Sequence, residues 1–266
     1  MDTSRIWRHR SITARLAIWF AWLLGVAIFI ACWRMISENT MWVFVVDAPD
    51  QALDLASRMR PPKWSYLDQL WWPIWDTFNI ATLGTAIAIV IAVPVAFCAA
   101  RNTTPHTVLV RPLALFIIAA SRSINSLIWA LMLVTIIGPG VFAGVIAIGL
   151  RSIGFIAKLL YEAIEEIDAT QVEAIAATGA SGGQTLSYGI APQIMPALAG
   201  ISVFRWDINI RESTVLGLVG AGGIGLQLEA SISTLAWTQV SVILLIILAT
   251  VILSEWVSAK IRHAII

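Results

Sequence analysis

The run Phe78-Asn-Ile-Ala-Thr-Leu-Gly-Thr-Ala-Ile-Ala-Ile-Val-Ile-Ala-Val-Pro-Val-Ala-Phe-Cys-Ala-Ala100 contains no charged side chain. A helix rises about 1.5 Å per residue, so about twenty such residues cross about 30 Å of hydrocarbon. The run reads as a membrane span, and Pro94 within it predicts a kink that the membrane setting tolerates. The 266-residue chain agrees, being 59% hydrophobic and 12% charged. That is about half the charged fraction of a soluble domain. Disorder is excluded by the same balance, because the apolar content is too high. With 17 basic and 16 acidic residues the net charge is +1, which leaves no broad electrostatic footprint for nucleic acid.

Working outward, five more spans appear. The first, Leu16 to Trp33, follows Arg5, Arg8, Arg10 and Arg15. It is too long for a signal peptide and ends in Cys-Trp-Arg instead of a small-residue cleavage site, so it reads as an anchor. The third runs from Pro112 to Ile137, and a Gly138-Pro-Gly140 turn separates it from the fourth, Val141 to Leu160. The fifth runs from Pro192 to Leu218 and the sixth from Val240 to Leu253, flanked by Trp237 and Trp256 in interfacial-belt positions. The expected fold is all-α and polytopic, with about six transmembrane helices. The arginine-rich start places both termini in the cytoplasm, together with Arg101, Arg111, Lys260 and Arg262. Arg58, Arg60 and Lys63 in the outer loop from Arg34 to Trp75 weaken this bias without reversing it. Trp64, Trp71, Trp72 and Trp75 read either as an interfacial helix on the outer leaflet or as plain packing.

Cys32 and Cys98 lie inside apolar runs and read as lipid-buried thiols. His9, His106 and His263 lack metal-ligand spacing, so no metal site is expected. Gly220-Ala-Gly222-Gly-Ile-Gly225 matches a dinucleotide fingerprint as a string, but it follows a span and no βαβ unit surrounds it. It reads as a tight reversal outside span five, beside a docked protein.

The longest inner loop, Tyr161 to Ala191, starts acidic with Glu162, Glu165, Glu166, Asp168 and Glu173. Glu173-Ala-Ile-Ala-Ala-Thr-Gly179-Ala-Ser181 then predicts a short helix stopped at Gly179. Taken alone, this is an ordinary solvated loop. Yet the Glu-Ala-x-x-x-x-Gly string, with Pro192 thirteen residues after the glycine, resembles the coupling motif of ATP-binding-cassette importer permeases. Ser121-Arg-Ser-Ile-Asn-Ser-Leu-Ile-Trp-Ala-Leu131, Tyr161-Glu-Ala-Ile-Glu-Glu-Ile-Asp168 and Asp207-Ile-Asn-Ile-Arg-Glu-Ser-Thr-Val-Leu-Gly-Leu-Val-Gly-Ala-Gly-Gly-Ile-Gly225 are similar to the phosphonate and phosphite branch of that family. The resemblance covers spans three to five, somewhat over half the chain. The first 75 residues carry no comparable motif.

The resemblance implies a type I importer permease fold with a cytoplasmic coupling helix, in a bacterial inner membrane. It divides the chain into an anchor plus outer loop (1–77) and a permease core (78–266), with the coupling loop at about 161–191. Glu173, Ala174, Ala177, Thr178, Gly179, Ala180 and Pro192 would contact the ATPase. The implied partners are two ABC ATPase subunits, which bind ATP and Mg, a periplasmic or lipid-anchored substrate-binding protein, a second copy of this permease, and lipid. No cofactor on this chain and no enzymatic activity of its own are expected; the sequence has no Gly-x-x-x-x-Gly-Lys-[Ser/Thr] loop to cradle phosphates. Four positions depart from the pattern. Ile175 replaces an alanine, Gly189 and Ala191 are smaller than usual, and Asn125 stands where proline is frequent, which predicts a more regular span three.

Charge within a span is costly, about 2.5–3.5 kcal/mol near a helix centre on insertion scales. Arg122 lies within span three, with Asn125 and Trp129 expected on its face. Its guanidinium would line a watery path for an oxyanion, or pair with backbone carbonyls or a carboxylate on another helix. In span five, Asp207 and Arg211 stand four apart and read as a structural ion pair. Arg205 and Asn209 share a face and form a second pathway candidate. The cargo expected is phosphonate or phosphite, passed by alternating access. Methionine or another small solute is the alternative cargo. An intramembrane enzyme on lipid phosphates would need a cluster of His, Asp or Ser near one interface, and a passive channel would leave the coupling loop without purpose.

Overall fold

The computed structural model describes residues 12–265, and every regular element among them is helical. Arg5, Arg8, His9 and Arg10 lie outside the described residues. The chain divides into two compact units between Ala56 and Ser57. Among the described residues, five helices are long and apolar enough to cross a membrane, or six if one sharply bent pair counts as a single span.

The first unit holds α1 (Ile12–Asn39) and most of α2 (Trp42–Arg58). Helix α1 has 28 residues, about 42 Å at 1.5 Å per residue, and therefore extends past the expected span at both ends. Cys32 on α1 is exposed and free. Trp42 Nε1 donates to the Ser37 carbonyl at 3.1 Å, and the Trp33 and Trp42 rings lie 6.5 Å apart, closing the turn. The acidic residues Asp47, Asp50 and Asp54 recur at helical spacing on α2. A helix thus occupies part of what reads as outer loop.

The second unit is a helical bundle built around α6 (Val141–Glu165), which packs on α3 (Leu67–Ala99), α4 (Val110–Ser123), α5 (Ser126–Ile137) and α9 (Ala191–Leu216). Small side chains make this close packing possible. Ala88, Ala92 and Ala96 recur every four residues along α3, and all are fully buried. A Cβ at Gly84 would come within 2.8 Å of Ile148 Cγ2 on α6. Helices α7 (Ala169–Ala177) and α8 (Gly182–Thr185) form the loop between α6 and α9. Helix α10 (Ile224–Ser233) and α11 (Trp237–Ile265) close the bundle, with Tyr66, Leu70, Ile224, Val242 and Ile243 forming a buried cluster.

Three expectations need correction. Span three is not one regular helix: α4 and α5 meet at 86°, with the break at Ile124 and Asn125. Asn125 causes it by capping α5, its Oδ1 accepting the Leu127 N–H at 3.1 Å. Arg122 and Trp129 therefore lie on separate helices. The tryptophan cluster forms no separate helix either. Trp64 starts a short 3-10 turn, and Trp71, Trp72 and Trp75 are exposed on the first turns of the continuous α3. Finally, Gly220–Gly225 does reverse the chain, but residues 221–225 are buried within the bundle instead of facing a docked protein. Ile224 N–H donates to Thr77 Oγ1 at 2.9 Å, and Gly140 N–H donates to the Gly220 carbonyl at 2.9 Å.

Candidate functional site

Two polar assemblies stand out in the bundle. The first is the loop holding α7. Asp168 starts this helix, accepting the Thr170 N–H at 2.9 Å, while its own N–H donates to Gln193 Oε1 at 3.0 Å. Gln193 Nε2 in turn donates to the Gly189 carbonyl at 2.8 Å, so one side chain ties the start of α7 to the first turn of α9. Val172 packs on the buried cluster that contains Leu160, Ile190 and Ile194. A Cβ on Gly189 would lie 3.4 Å from Ile175 Cδ1, an ordinary contact distance, so α7 packs against this turn. The loop is therefore fixed to the bundle on one side.

Its other side is open. Glu173, Ala174, Ala177, Thr178 and Gly179 are exposed, and Ala180 is half-buried. The Thr178 hydroxyl donates to the Ile175 carbonyl at 2.7 Å, and Gly179 N–H donates to the Ala176 carbonyl at 3.0 Å. Gly179 has φ +81°, a conformation that favours glycine at a helix end. Ser181 and Gln184 then form a capping box, followed by a π-helical turn from Leu186 to Ile190. Pro192 is exposed in the first turn of α9, where its missing N–H costs nothing.

The second assembly lies between α3, α6 and α9. Arg205 is 2% exposed. Its Nε donates to Ser152 Oγ at 2.9 Å, its Nη2 lies 3.4 Å from Glu212 Oε2, and its guanidinium lies over the Phe155 ring at 5.1 Å. Asn209 Nδ2 donates to Thr85 Oγ1 at 2.7 Å and to Ser152 Oγ at 3.1 Å. Arg151 Nη1 lies 3.0 Å from Glu212 Oε1, so two guanidiniums share one carboxylate. Arg151 also reaches Asn125 Oδ1 at 3.4 Å and Ser126 Oγ at 3.3 Å, linking the cluster to the α4–α5 break.

The pathway candidates are thus placed unequally. Arg205 and Asn209 belong to one network, but Arg205 is enclosed and ion-paired, not facing an open passage. Its partner Glu212 lies seven residues on, on the same helical face. Arg122 is exposed in the last turn of α4 and makes no hydrogen bond or ion pair among the described residues. Asn125 contacts Arg151, not Arg122. Asp207 and Arg211 form an ion pair, and the Ser254 hydroxyl donates to Asp207 Oδ1 at 2.8 Å, which connects α9 to α11. Sequence reasoning does not flag Arg151 or assign Glu212 a role. The rule that flags Arg122, a charge inside an apolar span, applies equally to Arg151 in span four.

The bundle and its exposed loop define a class of protein before any relative is considered: a polytopic helical protein with spans apolar enough for a membrane and one short helix, α7, held at its surface. The inward-facing methionine transporter MetNI has a chain with the same fold, at TM-score 0.64 and 21% identity, over 74% of this chain and 96% of that one. The family of binding-protein-dependent transport system inner membrane components matches residues 84–263, and this chain belongs to it. The phosphite transport system permease protein PtxC of Stutzerimonas stutzeri is 39% identical over 88% of this chain and 84% of its own length. The phosphate-import permease protein PhnE of Mycolicibacterium smegmatis is 36% identical over 89% of this chain and 44% of its own. The chain is accordingly a multi-pass inner-membrane permease of a binding-protein-dependent transporter.

Proposed function

We propose that this permease imports phosphite or a phosphonate, by alternating access between two copies of the chain. The observation that carries the cargo is the 39% identity to a phosphite permease across 88% of the chain. The half-buried Arg151 of the second assembly fits an oxyanion of that kind, since a guanidinium offers two parallel donors to two oxygens. Both termini lie in the cytoplasm in this reading. ATP and Mg are held by two separate ATPase subunits, each taking one copy of α7 into a cleft, and an external binding protein delivers the cargo.

The loop geometry supports a lever. Gln193 and Val172 join α7 to α9 and the bundle, so a displacement of α7 is passed on to α9 without first being absorbed by slack. ATP-driven closure then shifts the population between inward- and outward-open states.

The test is uptake of labelled phosphite in cells that hold the ATPase and binding protein, with and without this chain. The expected result is chain-dependent uptake that excess methylphosphonate suppresses and excess phosphate does not. Suppression by phosphate alone would move the cargo to that of the mycobacterial relative. No chain-dependent uptake by an assembled complex would refute the cargo and leave the family standing.

A further inference from the structure

Charge accounting in the second assembly leaves one guanidinium with less than its share of a carboxylate. Glu212 faces both Arg205 and Arg151, at 3.4 and 3.0 Å. Asp207 does not add to the supply, because Arg211 and Ser254 occupy it. Arg205, Glu212 and Arg151 together therefore carry a net charge of about +1 inside a bundle that penalises unbalanced charge.

The two arginines are held differently. Arg205 is enclosed, with Ser152, the Phe155 ring and Glu212 around it. The Arg151 side chain is 31% exposed, and among the described residues it reaches, apart from Glu212, only neutral acceptors, Asn125 and Ser126, at 3.4 and 3.3 Å. Those contacts are long for a charged donor. Around the same break, the Trp129 indole N–H is buried without an acceptor among the described residues, one turn along α5 from Asn125. Such a donor carries a desolvation cost that an acceptor would remove.

We infer that Arg151 is the residue that receives the oxyanion within the membrane, and that Glu212 is the counter-ion it releases when the oxyanion arrives. This inference rests on the oxyanion cargo proposed above. Arg205 makes the exchange inexpensive, because it keeps Glu212 paired while the Arg151 fork turns to the cargo. Departure of the cargo returns Arg151 to its contact with Glu212. A weak, self-resetting contact suits a carrier, which must release what it binds.

The test uses the detergent-solubilised complex of this chain with its ATPase, and reads thermal stabilisation by inorganic phosphite, methylphosphonate and sulfate. Wild-type complex is expected to show saturable stabilisation by phosphite, which Arg151→Ala abolishes and Arg151→Lys weakens by about tenfold in half-maximal concentration through loss of the two-pronged contact. Glu212→Gln removes the competitor and is expected to lower that concentration by about tenfold. Equal stabilisation of wild type and both Arg151 variants would overturn the assignment. So would weaker phosphite binding in Glu212→Gln. Arg151→Lys keeps a cation in place, so the result stands even where the alanine variant fails to assemble. Phosphite uptake by cells together with Arg151-independent stabilisation would remove this inference alone. Arg151-dependent stabilisation by oxyanions without phosphite uptake would remove the cargo reading and keep the site.

Discussion

Two glycine-bearing turns of this permease, at Gly179 and at Gly220–Gly225, are built for opposite surroundings. At Gly179 the backbone is left-handed and nothing lies within 4 Å of where a Cβ would be. At Gly225 a Cβ would meet the Thr214 carbonyl oxygen at 1.9 Å and Gly217 Cα at 2.9 Å. One glycine supplies a backbone angle next to open space, and the other supplies absence of bulk inside a packed bundle. The difference separates an exposed helix end, the one proposed above to meet the ATPase, from a joint packed inside the bundle.

Substitutions at these two positions break the comparison most sharply. Gly225→Ala places a methyl group on backbone that cannot yield, and is expected to cost more than about 3 kcal/mol, so that little folded protein reaches the membrane fraction. Gly179→Trp is expected to leave membrane content unchanged and abolish uptake, with the ATPase no longer copurifying. Gly225→Ala at normal abundance, or Gly179→Trp with normal ATPase copurification, would erase the contrast.

Smaller effects sharpen it. Arg205→Ala removes a buried guanidinium from Ser152, Phe155 and Glu212, and is expected to cost about 3 kcal/mol, visible as a lower melting temperature in detergent. Asp207→Asn is expected to cost about 1–2 kcal/mol. The loss is modest because the Arg211 side chain is 46% exposed and regains water, and because asparagine still accepts from Ser254. An unchanged melting temperature would refute a stabilising ion pair. At the low end, Gly179→Asn should transport almost normally, because asparagine tolerates positive φ and the surrounding space is open.

Legibility in the sequence followed the range of the interaction. Spans four, five and six were readable because hydropathy and length are local properties, and α7 was readable from its alanines and the glycine stop. The Asp207–Arg211 pair was also local, one helical turn long. The α4–α5 break was hidden because apolar content continues across Asn125, while the break itself comes from one side chain capping a backbone N–H. Trp71 to Trp75 read equally as an interfacial helix or as plain packing, because the sequence does not show that the helix through Asp76 and Thr77 is unbroken. The Arg151–Glu212–Arg205 arrangement needs α6 against α9, a packing fact that no pattern along one span supplies. Gly220–Gly225 was legible as a reversal, but not its burial, which depends on Thr77 and Val141 from other helices.

The most direct test of the account compares labelled phosphite uptake by cells carrying the wild-type chain and the Gly179→Trp chain at equal membrane content, with ATPase and binding protein present. The account predicts uptake by the wild type that methylphosphonate suppresses, and background uptake by the variant. Equal uptake by the two chains would contradict it.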